Sequence, residues 1–381
     1  MGTRAPAPAE HWVGTWTAAP QLTEPSNLPP APLSNAVLRQ VVHVSLGGRR
    51  IRVRFSNEFG DGPLGITRAH VAVCSTTPVN GTIDPATDTS LSFAGSAATT
   101  MAQGTAVWSD PLDFPLAPLG NLSITVSFGG VPSHVTGHPG SRTTSYELAR
   151  GGDVSAPTLT AAQTTDHWYV VSGVDVAAAA AARGVVILGD SISDGRGSTT
   201  NGNDRWPDDL ARRLLGNRPT SQVAIMNQGI GGNSVTTGGL GPTASARFNR
   251  DVLGASGVTW IVVFEGVNDI GKDVSAPALT SAFASLIERA HGRHLRVYGA
   301  TITPFATHAY FTTAHESTRQ AVNAYVRSGA FDAVIDLDAA VRDPSNPSRL
   351  QAIYDTGDGL HLKPAGYQKL ADAVDLRLFD N

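Results

Sequence analysis

The chain has 381 residues, 41% hydrophobic and 16% charged, enough to bury more than one core. A formal net charge of −4 leaves no strongly basic field to draw in nucleic acid or an anionic membrane surface, so no nucleic-acid partner is expected. No uninterrupted apolar run reaches the length of a membrane span, and the single cysteine, Cys74, excludes an intrachain disulfide and a thiolate metal cluster.

The opening stretch MGTRAPAPAEHW has no hydrophobic signal core and reads as the start of a mature chain whose export signal has been removed, so a secreted protein is expected. From Val37 to Val176 the pattern is short and alternating. VLRQVVHVSL, RRIRVRFSN, ITRAHVAVCS, AVWSDPLDF, NLSITVSFGG and HWYVVSGVDV are rich in β-branched and aromatic residues and bounded by Gly, Pro, Asn and Asp. In RIRVRFS, Ile51, Val53 and Phe55 share one face while Arg50, Arg52 and Arg54 share the other. The pattern predicts an antiparallel, jelly-roll-like β-sandwich over residues 1–178.

After the alanine run Ala177 to Ala182 the pattern changes. GVVILGD, QVAIMNQG, VTWIVVFEG, LRVYGATITP and AVIDLD are near-continuous apolar runs, as strands buried on both faces require. Between them lie the amphipathic stretches RWPDDLARRLLG, ASARFNRDVLG, LTSAFASLIERAHG, ESTRQAVNAYVRSG and KPAGYQKLADAVD. Five strand–helix units predict an α/β domain over residues 183–381, flavodoxin-like, with a parallel five-stranded sheet in a three-layer α/β/α arrangement. Ligands in such a sheet bind at the carboxyl ends of the strands.

The polar residues at those ends form four blocks. Ser191 follows the first strand in GDSISDG, and NQGIGGNSV follows the second. EGVNDIG sets Asn268 at the exit of the third, and DGLHLKPAGY in the last loop places Asp358 and His361 three residues apart. Each block alone has a structural reading: a serine or aspartate caps helices, and Asn-Asp makes turns. All four in order, each at a strand exit or in the last loop, are hard to obtain by chance.

In these blocks the second half resembles the SGNH hydrolases, the GDSL esterase/lipase superfamily, from Gly184 to the C-terminus. The first half is similar to the β-rich domain that precedes this module in some actinobacterial and XynE-like members, in HWVGTWTAAP and RVRFSNEFG. The resemblance implies Ser191 as nucleophile and, through its amide, as an oxyanion donor. It implies Gly232 as a second backbone donor, with Gly229 and Gly231 as neighbours able to supply the amide instead. It implies the Asn268 side chain as the remaining donor and His361 as base, oriented by Asp358. One departure stands out: many members follow the histidine with proline, whereas Leu362 stands here and Pro364 comes later.

The chemistry agrees with these roles. A serine hydroxyl is a weak nucleophile that needs a base, itself held by a third group. The tetrahedral intermediate then needs donors aimed at its oxyanion. No metal or organic cofactor is required. P-loop and dinucleotide readings fail, because neither G-x-x-x-x-G-K-[ST] nor G-x-G-x-x-G is present.

His134 and His138 have the spacing of two ligands on a helix, but glycine and proline make SHVTGHPG read as a loop, and no metal is expected there. His43, His70, His167, His308 and His315 read as surface or strand residues. Asp190 and Asp194 are expected to hold the turn around Ser191, and Trp206 to pack on the sheet near the site.

The expected activity is that of a serine esterase acting on small-molecule or polysaccharide esters, with short acyl chains or acetyl groups on carbohydrates. An acyltransferase or lipase on the same residues is the alternative. A carbohydrate-binding protein with a vestigial hydrolase domain is another. No segment clearly supplies the apolar groove or lid of a long-chain lipase, and the complete set of site residues speaks against a vestigial hydrolase.

Overall fold

The computed structural model describes residues 10–76 and 79–380, so most of the opening stretch lies outside the described residues. The alternation in Gly48–Asn57 puts Ile51, Val53 and Phe55 fully inside. On the outer face Arg52 lies over the rings of Trp12 and Trp108. That strand belongs to a five-stranded antiparallel sheet with Trp12–Thr17, Val171–Ala177, Thr105–Trp108 and Leu112–Leu116. A seven-stranded antiparallel sheet built around Val37–His43, Asn121–Phe128 and Leu64–Val73 faces it. The inward residues of both, among them Leu38, Val53, Ile124, Val126 and Val174, form one buried cluster, the core of a β-sandwich.

Three stretches depart from the expected strands. AVWSDPLDF divides at Asp110–Pro111, where proline interrupts the ladder, and both pieces pair with Gly48–Asn57. HWYVVSGVDV divides at Val170, which adopts φ 66 and turns the chain from one sheet into another. His138 does not lie in a loop: Thr136–His138 is the middle strand of a small third sheet, between Gln21–Leu22 and Trp168–Tyr169.

The second half is a parallel sheet of β1 (Arg183–Gly189), β2 (Val223–Gly229), β3 (Val258–Phe264), β4 (Arg296–Ala300) and β5 (Ala333–Ile335). Its order is β2-β1-β3-β4-β5, that of flavodoxin-like folds, which leaves β1 inside the sheet. Trp206–Gly216 packs on Pro364–Asp372, and Ala276–His291 on Thr313–Arg327, giving a three-layer α/β/α domain. The stretch ASARFNRDVLG forms a short α-helix, Ala244–Phe248, and then widens into a π-turn, Asn249–Leu253. No helix among the described residues is long and apolar enough to cross a membrane.

The outer edge of β2 would expose unpaired backbone groups, and the first half covers it. Thr17 Oγ1 donates to Asn227 O at 2.9 Å. Ser45 Oγ donates to Ile225 O at 3.1 Å and accepts from Ile225 N at 2.9 Å. Ser45→Ala therefore orphans a buried N–H and C=O of β2. Urea unfolding should show a loss of about 1–3 kcal/mol. Unchanged stability would mean that the covered edge contributes nothing.

Candidate active site

β1 ends as an apolar strand at Gly189, and Asp190 then leaves the ladder to cap a short helix, Ser191–Asp194, its side chain accepting from Ile192 N at 2.9 Å. Ser191 is thus the first helical residue beyond a central strand, and at that position its amide has no intrahelical acceptor. The approach from β2 is so close that a Cβ on Gly229 would lie 2.5 Å from Asp194 N.

The last loop is shaped by its own aspartates. Asp355 Oδ1 accepts from Gly357 N at 2.7 Å and Gly359 N at 3.0 Å. Asp358 Oδ1 accepts from Leu360 N at 3.0 Å and His361 N at 2.9 Å, which turns Oδ2 towards His361 Nδ1, 2.6 Å away. The other ring nitrogen, Nε2, is 2.8 Å from Ser191 Oγ. Since a carboxylate only accepts, Nδ1 carries the proton and Nε2 faces the hydroxyl as acceptor. The helix begins at Pro364, so the displaced proline serves as its first residue and leaves this loop intact.

Burial of the His361 ring disfavours its charged form and outweighs Asp358, holding the imidazole below the usual histidine range. Burial works to raise the Asp358 carboxyl, but hydrogen bonds from the His361 ring and from the His361 and Leu360 amides prevail, and it stays well below the usual carboxylate range.

Asn268 lies in the short helix Val267–Ile270 at the exit of β3. Its Oδ1 accepts from Tyr310 Oη at 3.2 Å, while its buried Nδ2 has no partner among the described residues. Of the nearby glycine amides, Gly229 N donates to Asn227 Oδ1 at 3.0 Å and Gly231 N to Asp194 Oδ2 at 3.2 Å. Among the described residues no such acceptor occupies Gly232 N, and Gly232 takes φ 71, a conformation suited to glycine. Asp269 links the loops after β2 and β3 by accepting from Val235 N at 2.8 Å, Thr236 N at 3.0 Å and Thr236 Oγ1 at 2.7 Å.

Several neighbours of the site carry no motif in the sequence. Tyr310, which orients Asn268, sits in a loop without a motif. His308 is neither a surface nor a strand residue: it is half-buried in the same loop, its ring 6.5 Å from that of His361. Leu240 is half exposed and stands against Gly232. Trp206, which the sequence does single out, is fully buried against Phe264 and donates to Ser193 Oγ at 3.2 Å. Beneath the turn, the buried Arg247 reaches Gln228 O at 2.6 Å, Gly189 O at 3.2 Å and Glu265 Oε1 at 3.5 Å. Burial, and then the Asp190 charge, pushes the Glu265 carboxyl well up.

A serine hydroxyl, an imidazole and a carboxylate in one hydrogen-bonded line, beside unpartnered N–H donors, can add an oxygen nucleophile to a carbonyl and hold the resulting charge. Among the described residues no group of three or more His, Cys, Asp or Glu is placed to hold a metal.

The model of the GDSL-like Lipase/Acylhydrolase family matches residues 187–369. Similar solved structures include a member of the carbohydrate acetylesterase family from Sinorhizobium meliloti, at 16% identity and TM-score 0.42 over 51% of this chain and 97% of that one. A lipase/acylhydrolase from Enterococcus faecalis is 20% identical, with TM-score 0.40 over 50% of this chain and 92% of the other. A GDSL-like lipase from Bacteroides thetaiotaomicron is also 20% identical, with TM-score 0.39 over 50% and 85% of the two chains. No curated protein sequence matches the chain.

The lowered histidine has a direct readout. In an NMR pH titration His361 should change protonation below the ordinary value of about 6.5, because burial favours the neutral ring. Asp358→Asn removes a group that stabilises the imidazolium and should move the midpoint further down. A midpoint above the ordinary value would contradict the burial argument.

Proposed function

We propose that the chain is a carboxylic ester hydrolase that works as a serine esterase through an acyl-serine intermediate on Ser191, a reading supported by the match of residues 187–369 to the GDSL-like lipase/acylhydrolase family model. The observation that carries this reading is the line from Ser191 Oγ to His361 Nε2 at 2.8 Å and from His361 Nδ1 to Asp358 Oδ2 at 2.6 Å.

His361 Nε2 takes the Ser191 proton as Oγ attacks the ester carbonyl carbon. The oxyanion receives hydrogen bonds from Ser191 N, Gly232 N and Asn268 Nδ2. Collapse expels the alcohol, which takes the proton back from His361 and leaves the acyl group on Ser191. Water then adds to the acyl carbonyl with His361 as base, and the carboxylic acid departs. Asp358 stays ionised throughout and stabilises the imidazolium.

Short acyl groups, including acetyl groups on carbohydrates, suit the surface around this line. Among the described residues four large apolar side chains are exposed, Leu22, Leu28, Leu240 and Ile353, and Leu240 is the one seen against Gly232. One leucine can meet a short acyl chain, whereas a long chain needs a continuous apolar wall. Such esters on polysaccharides are met outside the cell, in keeping with a secreted enzyme.

With p-nitrophenyl acetate, Ser191→Ala should lower kcat by on the order of a millionfold, as loss of a triad nucleophile does. Near-normal turnover in that variant would end the serine mechanism.

Asn268→Ala should lower kcat by about a hundred- to a thousandfold with little change in KM, because an oxyanion donor acts mainly in the transition state. If Asn268 served only the turn, the folded variant would keep its kcat and lose melting temperature instead.

A further inference from the structure

We infer that His138, carried by the β-sandwich half, is a positioning residue of the ester-hydrolysing site: it holds Asp194, and Asp194 holds the loop that presents the Gly232 amide. This rests on the reading of Ser191 and Gly232 given above.

His138 ends the strand Thr136–His138 and is 4% exposed. Its Nδ1 lies 3.0 Å from Ala19 O and its Nε2 2.8 Å from Asp194 Oδ1. A carbonyl oxygen and an ionised carboxylate only accept, so both ring nitrogens are placed to donate. Burial works to raise the Asp194 carboxyl, but the His138 charge and hydrogen bond, with Arg142 and Arg205 nearby, keep it below the usual carboxylate range.

Asp194 occupies the junction. It is the last residue of the nucleophile helix, and its Oδ2 accepts from Gly231 N at 3.2 Å, one residue before Gly232. One carboxylate thus joins the serine turn, the oxyanion loop and the other half of the molecule. The His138 ring has little freedom: it stacks on Trp168 at 5.8 Å, and Trp168 abuts Trp16 edge-on at 4.9 Å. The chain just beyond is pressed onto the same carboxylate, for a Cβ on Gly140 would lie 1.7 Å from Asp194 Oδ2.

Holding the two halves together does not require this pair. Ser45, Thr17 and the Gly14 N to Ser256 O bond at 3.0 Å already bridge them without burying charge. A buried carboxylate carries a desolvation cost that neutral bridges avoid, so its place beside the oxyanion loop points to a task there. Fixing the Asp194 carboxylate fixes Gly231 N. Neutralising it removes an anion next to the point where the oxyanion charge develops.

The test uses the full-length protein with p-nitrophenyl acetate, activities being referred to folded protein by near-ultraviolet circular dichroism. His138→Asn keeps a donor for Ala19 O but is too short to reach Asp194, whereas His138→Gln reaches it. The Asn variant should lose about ten- to a hundredfold in kcat with KM within about twofold, the range spanned by a partial loss of one oxyanion donor. Affinity for a trifluoromethyl ketone, whose hemiketal oxygen mimics the oxyanion, should fall in parallel, and the Gln variant should recover most of both. Ser45→Ala, which loosens the same interface elsewhere, should leave kcat unchanged. On the wild-type enzyme, the ketone should shift the His138 ring N–H resonances. Wild-type kcat in folded His138→Asn, equal losses in the Asn and Gln variants, or unshifted His138 resonances would each overturn the assignment. An active Ser191→Ala in the same assay would instead overturn the serine reading on which it rests.

Discussion

Loops that are far apart in sequence must meet at the carboxyl end of β1 and stay in register to within a hydrogen bond, and carboxylates make the connections. Asp190 caps the serine turn, Asp269 joins the loop after β3 to the loop after β2, and Asp358 holds the histidine ring. Asp194 joins the serine turn to the glycine loop. The sheet order makes this convergence possible, because β1 lies between β2 and β3 and therefore faces both of their loops. Placing several acids in so small a buried volume has an electrostatic consequence. Burial and the neighbouring acids push Asp190 and Glu265 up, and the buried Arg247 is the cation set against them.

The β-sandwich is more than an appended module in this arrangement. It shields the β2 edge with the hydroxyls of Thr17 and Ser45, and it sends an imidazole into the heart of the α/β domain. Arg250 Nη2 reaching Pro20 O at 2.8 Å and Arg52 Nη2 reaching Ser256 Oγ at 3.2 Å extend the contact along the same side. Loss of the first half would therefore expose a strand edge and leave the Asp194 carboxylate without its His138 partner, two costs of different kind.

The α/β half is legible in the sequence because its strands are apolar on both faces and its helices show a clear 3.6-residue period, patterns set by burial alone. The polar blocks at the strand exits stand out for the same reason, since polar residues break apolar runs where the chain leaves the sheet. Relations between distant segments are not legible. Nothing near Asn268 announces that Tyr310 will orient it, and nothing in SHVTGHPG shows that His138 will meet Asp194, 56 residues on, instead of facing solvent. Val170 is a related case: a β-branched residue at φ 66 is locally unfavourable, and only the switch between two sheets accounts for it. The 6.5 Å approach of the His308 ring to that of His361 is likewise encoded in no spacing.

Everything proposed for the chemistry depends on Ser191 becoming covalently acylated with His361 as its base. The most direct measurement is to react the intact protein with a fluorophosphonate, digest it and locate the adduct by mass spectrometry. The account predicts one adduct per chain, on the peptide containing Ser191, formed rapidly in the wild type and almost not at all in His361→Ala. An adduct on Ser193 or Ser234, or labelling of Ser191 at the same rate without His361, would contradict it.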